Sequence, residues 1–355
     1  MNQYIVHPVG LVNLSRDDNQ YSNDYYVKST SSYKYDDYMF NVCYMNSSIQ
    51  CLFHLKKFAN FILEGKGTSL LIPTRNLLIS MINWKENKKK SDLSVEEIKK
   101  EMGRIDERYN HNRQEDANEF ISNFLDALRE ETSEKGIKKN HINLNNFSNE
   151  LEMEAYKKFY NKFYEKKGYS FLLDLFYGNY ITKKFCKKCK NLLSVKFNAF
   201  NMIELPIYEL AKNRYSLNLD DILKSFFSES KIYDSKCDKC HEEVYSQTSI
   251  YKLPENLIIF FGRTANEQYI NNKINYDKIL DLSKFLDPNS NSKFNTYSLS
   301  GIIYYTSFGK KGFSGHYTAS CKCQDVWYHF DDTIVSNSNY DPDSNEIILF
   351  YEKFN

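Results

Sequence analysis

The sequence predicts an α+β fold in one multi-lobed domain, and three observations support this class. Segments with helical periodicity fill the first half of the chain, whereas short β-type runs dominate from about residue 171. A wound α/β sheet would instead alternate helices with strands. The 355 residues suffice for one large domain or two ordinary ones, and the sequence has no Gly/Ser/Pro-rich linker that would separate two.

The helical half contains three well-marked segments. Residues 43–63 carry apolar side chains at three- and four-residue steps, with the Asn-Ser-Ser run at 46–48 as candidate N-caps. Ser94 and Glu97 have the spacing of a capping box ahead of a second helix. Residues 114–131 place apolar side chains on one face and charges on the other, which predicts a third helix.

A further helix, basic and aromatic, is predicted over residues 150–166. A further short helix is predicted near 220–227. The remaining apolar runs are short, alternate with polar turns and predict strands. These runs are 171–185, 191–205, 243–253 and 256–261.

Composition excludes several classes of protein. The 47 basic and 46 acidic residues give a net charge of +1, which disfavours a general polyanion-binding role. Apolar runs are too short to span a bilayer, and the first ten residues lack the features of a secretory signal. We therefore expect a reducing compartment, the cytoplasm and/or nucleus, with no membrane or nucleic-acid partner and a monomer as the default state. Residues 15–39 are polar and predict a loop or insertion.

Two C-x-x-C pairs, Cys186/Cys189 and Cys237/Cys240, predict a metal site. Four thiolates on two such knuckles suit tetrahedral Zn²⁺ in a closed, structural site. Four unrelated buried cysteines are the alternative, which two correctly spaced pairs make less attractive. His241 follows the second pair and could replace a ligand, although a position on the turn surface is the simpler interpretation.

A thiol, an imidazole and a carboxylate form the candidate catalytic set. Cys43 begins the first predicted helix, where unpaired backbone N–H groups favour a negatively charged sulfur. His316 lies where a glycine-rich loop runs into a strand, and it is the candidate base. A hairpin would bring Asp331 or Asp332 back beside it. Cys51, inside the helix, is expected to be a buried apolar residue.

Five motifs then occur in the order found in one enzyme family. They are Cys43-Tyr-Met-Asn-Ser47, Gln114-x-Asp-Ala-x-Glu-Phe120, the two C-x-x-C pairs, Gly315-His-Tyr-x-Ala319 and Trp327-Tyr-x-Phe-Asp-Asp332. Together they resemble the catalytic domain of the ubiquitin-specific proteases, papain-like deubiquitinases built from a thumb, a palm and fingers. The resemblance extends from Gly10 to about Tyr351.

This resemblance implies an architecture. Residues 1–9 would be a short extension and residues 10–355 a single catalytic domain, interrupted by the polar insertion 15–39. The helical lobe would be the thumb, the antiparallel sheet the palm and the zinc ribbon part of the fingers. The implied bounds are about 40–170 for the thumb, about 171–200 and 228–255 for the fingers, and about 200–227 and 256–355 for the palm.

The resemblance also implies an activity. The enzyme would hydrolyse the isopeptide or peptide bond after the C-terminal glycine of ubiquitin, through an acyl-enzyme on Cys43. His316 would be general base and acid, Asp331 would orient it, and Asp332 would be an accessory near the oxyanion. The implied partners are ubiquitin and ubiquitin-conjugated proteins. One structural zinc and no catalytic cofactor are implied.

Substrate binding is expected at five residues. Asp116 and Glu119 match family positions that receive the arginines of the ubiquitin tail, and their spacing puts both on one helix face. Gln114 belongs to the same motif. Gly315 and Tyr317 flank the candidate base and would line a channel that admits only a Gly-Gly end. Ordinary solvated helix charge is the alternative for the two carboxylates, and core packing for the tyrosine.

The first motif departs from the family pattern. The family usually has an Asn five residues before the nucleophile as an oxyanion donor, and Tyr38 stands there in this chain. Yet Gly10-Leu-Val-Asn-Leu14 reproduces the opening of that box, and residues 40–43 resemble its end. We therefore predict that 15–39 is inserted within the box and that Asn13 is the displaced donor. Alternatively, Asn13 no longer reaches and backbone N–H groups take its place.

Other functions stay open from sequence alone. An interrupted box would also suit a weakly active or inactive ubiquitin-binding module. A protease for another ubiquitin-like modifier would carry the same catalytic set. A zinc-ribbon nucleic-acid binder is disfavoured, because it leaves the catalytic set unexplained and the net charge is near zero.

Overall fold

The computed structural model describes residues 5–12, 41–84, 93–134, 147, 149–165, 168–212, 214–266, 268–290, 292, 294–308, 314–338 and 345–354. Asn13 and the predicted insertion 15–39 lie outside the described residues. Helices dominate the first half of the described chain and antiparallel strands the second, so the predicted α+β class is confirmed.

The helices are bounded as follows. They are α1 Cys43–Phe53, α2 Lys56–Glu64, α3 Leu71–Ile82, α4 Glu96–Ile105, α5 Ala117–Glu131, α6 Glu150–Tyr160, α7 Leu172–Phe176, α8 Tyr208–Ala211 and α9 Leu219–Phe226. Short 3₁₀ segments cover Glu107–Asn110 and Ser283–Phe285, and a π-helical turn covers Asn161–Glu165. None of the helices in the described ranges combines the length and the apolar composition that crossing a bilayer requires.

Sixteen strands are present in the described residues. They are β1 Gly178–Cys186, β2 Leu192–Phe200, β3 Ile203–Pro206, β4 Ser216–Asn218, β5 Ser230–Lys236, β6 Glu243–Lys252, β7 Asn256–Gly262, β8 Thr264–Ala265, β9 Gln268–Tyr269, β10 Lys273–Asn275, β11 Ile279–Asp281, β12 Thr296–Ser307, β13 Gly315–Cys323, β14 Val326–Asp331, β15 Ile334–Asn337 and β16 Glu346–Lys353.

The chain divides into two compact units. The first contains residues 1–131 and 301–340, and the second contains residues 132–300 and 341–355. Strand β12 passes from the second unit into the first between Ser300 and Gly301. The division into thumb, fingers and palm stays a prediction.

In the first unit, α1 is a central helix with all eleven residues buried. Its Tyr44 ring meets Phe120 of α5 edge-on, with 5.7 Å between ring centroids. Strands β12 (from Gly301), β13, β14 and β15 follow one another as an antiparallel sheet. On β13, Cys321 lies 3.7 Å from Cys51 of α1, sulfur to sulfur. The buried position predicted for Cys51 is therefore confirmed.

The continuous helix predicted over 43–63 is wrong in one respect, because it is two helices. Leu55 is extended (φ −79°, ψ 109°) and separates α1 from α2. The predicted caps are also misplaced: Val42 is the N-cap, and residues 46–48 lie inside α1. The hydroxyls of Ser47 and Ser48 donate to the carbonyl of Tyr44, which satisfies them within the buried helix.

In the second unit, strands β2, β1, β6 and β5 form a four-stranded antiparallel sheet. Helix α6 packs on its face through an aromatic cluster that includes Tyr156, Tyr160, Phe197 and Tyr251. This cluster accounts for part of the chain's high aromatic content, 16%. A second sheet joins β12 (to Ser300), β16, β7 and β3.

Candidate active site

The thiol of Cys43 lies at the first position of α1, and the residue is 1% exposed. Val42, before it, provides no side-chain cap, so the free N–H groups of the first turn favour negative charge at this end. Asn41 has a left-handed backbone (φ 67°), and its side-chain amide donates to the carbonyl of Asn112 at 2.9 Å. The turn that leads into α1 is thus held by a hydrogen bond to the segment before α5.

The imidazole of His316 lies between this thiol and a carboxylate. Its Nε2 is 2.6 Å from Oδ1 of Asp331, and the side chain of Cys43 is close enough to the ring to raise its pKa. Because Nε2 faces the carboxylate, Nδ1 is the nitrogen that faces the sulfur. The contact with Cys43, followed by that with Asp331, raises the pKa of His316 to about 9. The arrangement therefore favours an imidazolium next to the thiol at neutral pH.

A hairpin brings this histidine and aspartate together. Strands β13 and β14 pair antiparallel, with Cys323 opposite Val326 across a two-residue turn. Gln324 in that turn takes a left-handed backbone (φ 58°), as tight hairpins require. Phe330 pairs with Ala319 in this register, so Asp331 follows on β14 diagonally across from His316, and its carboxylate reaches the imidazole.

Asp332, next in the chain, hydrogen-bonds residues near the start of α1. Its backbone is left-handed (φ 50°), and its Oδ1 accepts a 2.8 Å hydrogen bond from the side-chain amide of Asn46. Its carbonyl accepts from the N–H of Leu11 at 2.9 Å. One ring nitrogen of His316 and one carboxylate oxygen each of Asp331 and Asp332 lie within 4.8 Å of one another.

The chain just before Asn13 lies against this group. The carbonyl of Val9 accepts from the side chain of Gln50 on α1 at 2.6 Å, and Asn46 also lies 3.4 Å from the carbonyls of Leu11 and Val12. Residues 9–12, which include the described start (10–12) of the predicted split box, therefore contact both α1 and Asp332.

Gln114 contacts its own chain rather than open solvent. Its side-chain amide donates to the carbonyl of Gly315 and accepts from the N–H of the same residue at 3.0 Å. Gly315 has no room for a side chain, because a Cβ would lie 2.4 Å from the carbonyl oxygen of Thr306 and 2.5 Å from the ring of Tyr305. The residue before His316 is thus held on two sides.

The predicted substrate residues Asp116 and Tyr317 contact each other. The Tyr317 hydroxyl donates to Oδ1 of Asp116 at 3.4 Å, and the Tyr317 ring packs 4.7 Å from that of Tyr305. Partial desolvation of the carboxylate, and then the negative charge of Glu119, raise the pKa of Asp116, although the residue as a whole is exposed. Tyr317 is buried.

Glu119, by contrast, forms an ion pair with Arg108, which also binds Asp106. The sequence predictions assigned no role to this arginine, because its position between two helices shows no periodicity. Asn46 was likewise interpreted as a helix cap, although its place three residues after Cys43 puts it one helical turn along the same face.

The four predicted metal-ligating cysteines meet in the second unit, where β1 and β5 end and β2 and β6 begin. Their sulfurs lie within 4.8 Å of one another, and two cross-pairs, Cys186–Cys240 and Cys189–Cys237, are each 3.5 Å apart. All four are free thiols. Tetrahedral coordination with Zn–S bonds near 2.3 Å requires sulfurs about 3.8 Å apart, so the set fits such an ion.

The two cysteine turns have the same backbone design. In each, the residue after the second cysteine is left-handed, Lys190 (φ 58°) and His241 (φ 54°), and its N–H donates to the carbonyl of the first cysteine. His241 therefore has a turn role. Hydrogen bonds from the backbone N–H groups of Lys239 and Cys240 lower the pKa of Cys237 to about 7, which favours a thiolate ligand.

Comparison with known proteins gives the family. The family model "Ubiquitin carboxyl-terminal hydrolase" matches residues 39–351. Usp2 of Drosophila melanogaster is 26% identical over 339 residues, covering 88% of this chain and 34% of the relative. Ubiquitin carboxyl-terminal hydrolase 2 of Homo sapiens is 27% identical over 340 residues, covering 88% and 54%. The chain thus spans about a third to about half the length of these relatives.

Solved structures agree on the fold. The SAGA DUB module of Ubp8, Sgf11, Sus1 and Sgf73 bound to monoubiquitin aligns with a TM-score of 0.68 at 17% identity, covering 100% of this chain and 71% of that chain. The same module bound to ubiquitin aldehyde gives a TM-score of 0.67. The predicted papain-like deubiquitinase architecture is therefore confirmed at the level of the fold.

Proposed function

We propose that this chain, which belongs to the ubiquitin carboxyl-terminal hydrolase family, is a thiol-dependent deubiquitinase. It would cleave the peptide or isopeptide bond after the C-terminal glycine of ubiquitin. The observation that carries the proposal is the 2.6 Å contact between His316 and Asp331, next to Cys43 at the start of a buried helix. A thiolate, an imidazolium and an orienting carboxylate in this order are the parts that acyl transfer by a cysteine requires.

In the proposed reaction, the Cys43 thiolate attacks the carbonyl carbon of the terminal glycine. His316 gives its proton to the departing amine, which leaves as the C–N bond breaks and the thioester forms. Neutral His316 then takes a proton from water, which attacks the thioester, and it returns a proton to the sulfur as ubiquitin leaves. Asp331 holds Nε2–H throughout, so that Nδ1 stays directed at the sulfur.

The negative oxygen formed in each attack needs donors. We propose that Asn13 is one of them, because residues 9–12, directly before it, already contact α1 and Asp332. Asp332 would be an accessory that fixes these neighbours, since it accepts from Asn46 and from Leu11. Donors of this kind contribute about 10²–10³ in rate.

The ubiquitin tail would approach along α5. Asp116 and Glu119 would receive its arginines, and Gly315 with Tyr317 would border the channel near His316. The contacts of Gln114 with Gly315 support a positioning role for Gln114 in place of the direct substrate contact expected from the motif. The titles of similar solved structures name monoubiquitin and ubiquitin aldehyde as bound molecules, which supports ubiquitin as the partner here.

We also propose that Cys186, Cys189, Cys237 and Cys240 hold one structural zinc. The donor set and its spacing support this ion. Bound zinc would tie two hairpin ends together and supply no chemistry to the reaction. The cytoplasm and/or nucleus is the proposed location, because reduced cysteines suit these compartments.

The decisive test uses ubiquitin with a thiol-reactive group at its C-terminus. Wild type should form a covalent adduct, and Cys43→Ser should form none. Absence of an adduct on wild type, with ubiquitin still bound noncovalently, would instead identify a ubiquitin-binding module. Probes built on other ubiquitin-like modifiers, run in parallel, would reveal a different specificity.

A further inference from the structure

Arg108 holds one of the carboxylates proposed to bind substrate. Its Nη1 contacts Oε2 of Glu119, whereas its Nε and Nη2 contact the carboxylate of Asp106 at 3.0 Å and 2.7 Å. A guanidinium that contacts Asp106 through two nitrogens has a fixed orientation. The Nε/Nη2 side of the Arg108 guanidinium is thus held by Asp106, and Nη1 is directed at Glu119.

The segment that carries Arg108 is itself anchored to α5. Asp106 caps the short 3₁₀ helix Glu107–Asn110 by accepting from the N–H of Arg108 at 3.1 Å. The next residue, Tyr109, is buried, and its ring meets Phe120 of α5 edge-on at 5.8 Å. Its hydroxyl accepts a 3.0 Å hydrogen bond from Asn123, also on α5. The arginine is therefore held next to Glu119 by packing, and not by the ion pair alone.

The two proposed arginine-binding carboxylates consequently differ. Asp116 accepts a hydrogen bond from a neutral hydroxyl, that of Tyr317. Glu119 contacts a cation that presents the same guanidinium group as a substrate arginine. A positive charge at this position also offsets the negative potential of Glu115, Asp116 and Glu119, which would attract a basic tail.

We propose that Arg108 is an intramolecular substitute for a substrate arginine, and that the ubiquitin tail must displace it from Glu119 to bind. The inference rests on the proposed function, because it assigns Glu119 to the ubiquitin tail. Arg108 then sets affinity rather than chemistry: it lowers occupancy of the channel and leaves the steps at Cys43 and His316 unchanged.

The expected effect is modest, because both partners are about half exposed: 48% for Arg108 and 49% for Glu119. Exposed ion pairs of this kind change an equilibrium by about two- to fivefold. Arg108→Ala should therefore lower the Kd for ubiquitin about threefold and lower KM to a similar extent, with kcat unchanged. The gain should shrink at high salt.

The test measures ubiquitin binding in the Cys43→Ser background and steady-state cleavage of a fluorogenic ubiquitin amide in the active protein. Arg104→Ala is the matched control, because it also removes an exposed arginine from an ion pair, here with Glu101 on α4. Repeating the binding with ubiquitin whose tail arginines are changed to glutamine closes a double-mutant cycle. The advantage of Arg108→Ala should disappear with that ligand.

Each outcome decides the proposal. An unchanged or raised Kd in Arg108→Ala would overturn it, as would an equal gain in Arg104→Ala or a gain that persists with the glutamine-substituted tail. A wild type that forms a ubiquitin adduct while Arg108→Ala shows no gain would leave the deubiquitinase function intact and remove only this inference. A wild type that neither reacts with nor binds ubiquitin would remove both.

Discussion

The side-chain amide of Gln114 exchanges two hydrogen bonds with the backbone of Gly315, as a neighbouring strand would. Gly315 begins β13 and directly precedes His316. A side chain from the segment before α5 therefore helps to position the start of β13, the strand that carries the candidate base His316. Gln114 thus links the segment that carries the proposed substrate-binding carboxylates to the strand that carries the imidazole.

Gln114→Ala should lower kcat about tenfold and leave KM nearly unchanged, because it removes two hydrogen bonds that position His316. Steady-state kinetics on a ubiquitin amide measure both constants. Gln247→Ala on β6 is the control, and it should leave both unchanged. A raised KM with normal kcat would show that Gln114 binds substrate directly.

The pH profile should report on His316. Its proton is needed by the leaving amine, and its pKa is raised to about 9 by Cys43 and Asp331. The protonated fraction is therefore high below that pH and declines above it, so kcat/KM should hold to about pH 9 and then fall.

Asp331→Asn tests what causes the decline of kcat/KM at alkaline pH. Removing the carboxylate withdraws one of the contacts that raise the pKa, so the alkaline limb should move to lower pH and the rate should fall by about 10²–10⁴. Asp325→Asn at the β13–β14 turn, where the side chain is 98% exposed, is the control. An alkaline limb that stays in place in Asp331→Asn would contradict the assignment.

Asn13→Ala should reduce turnover about 10²–10³-fold if Asn13 is the oxyanion donor of a split box. Cys43→Ala should abolish it, and Asn60→Ala on α2 should have no effect. Deleting residues 15–39, which joins the two halves of the box, should preserve turnover. Normal turnover in Asn13→Ala would contradict the split box and favour backbone donors.

Zinc should be present at one ion per chain, measured by elemental analysis of the intact protein. Cys237→Ser should lose it and lower the Tm by roughly 5–10 °C, because structural zinc contributes directly to folding. His241→Asn should keep both, since Asn tolerates the left-handed turn that His241 occupies. Loss of zinc in His241→Asn would make that histidine a ligand.

Local spacing was enough to predict much of the fold and the candidate site. Each C-x-x-C pair is one short turn that brings its own two sulfurs together, and the pairing of β1 with β6 brings the two turns to one place. Asp331 reaches His316 because hairpin geometry links strand positions across a two-residue turn. Such relationships depend on a few consecutive residues, and the amino-acid types in those residues indicate them.

The missed features depend on contacts between distant segments. The polar run at 46–48 suggested a helix start, yet the helix begins at Cys43, and the side-chain amide of Asn46 donates to Asp332, 286 residues away in sequence. Helical periodicity also continues past Leu55, where the chain is extended. Ser94 accepts from the N–H of Glu96 two residues on, rather than forming the predicted capping box. Pairing of Arg108 with Glu119 has no local pattern at all.

The two cysteine turns also bear on chain entropy. An ion shared between Cys189 and Cys237 would close a loop of 47 intervening residues, which contains the strands β2 to β5 and two short helices. The entropic cost of closing a loop grows slowly with its length, by about 0.6 kcal/mol per doubling. The connections between strands and helices inside this loop can therefore gain or lose residues at little entropic cost, provided that both turns keep their backbone geometry.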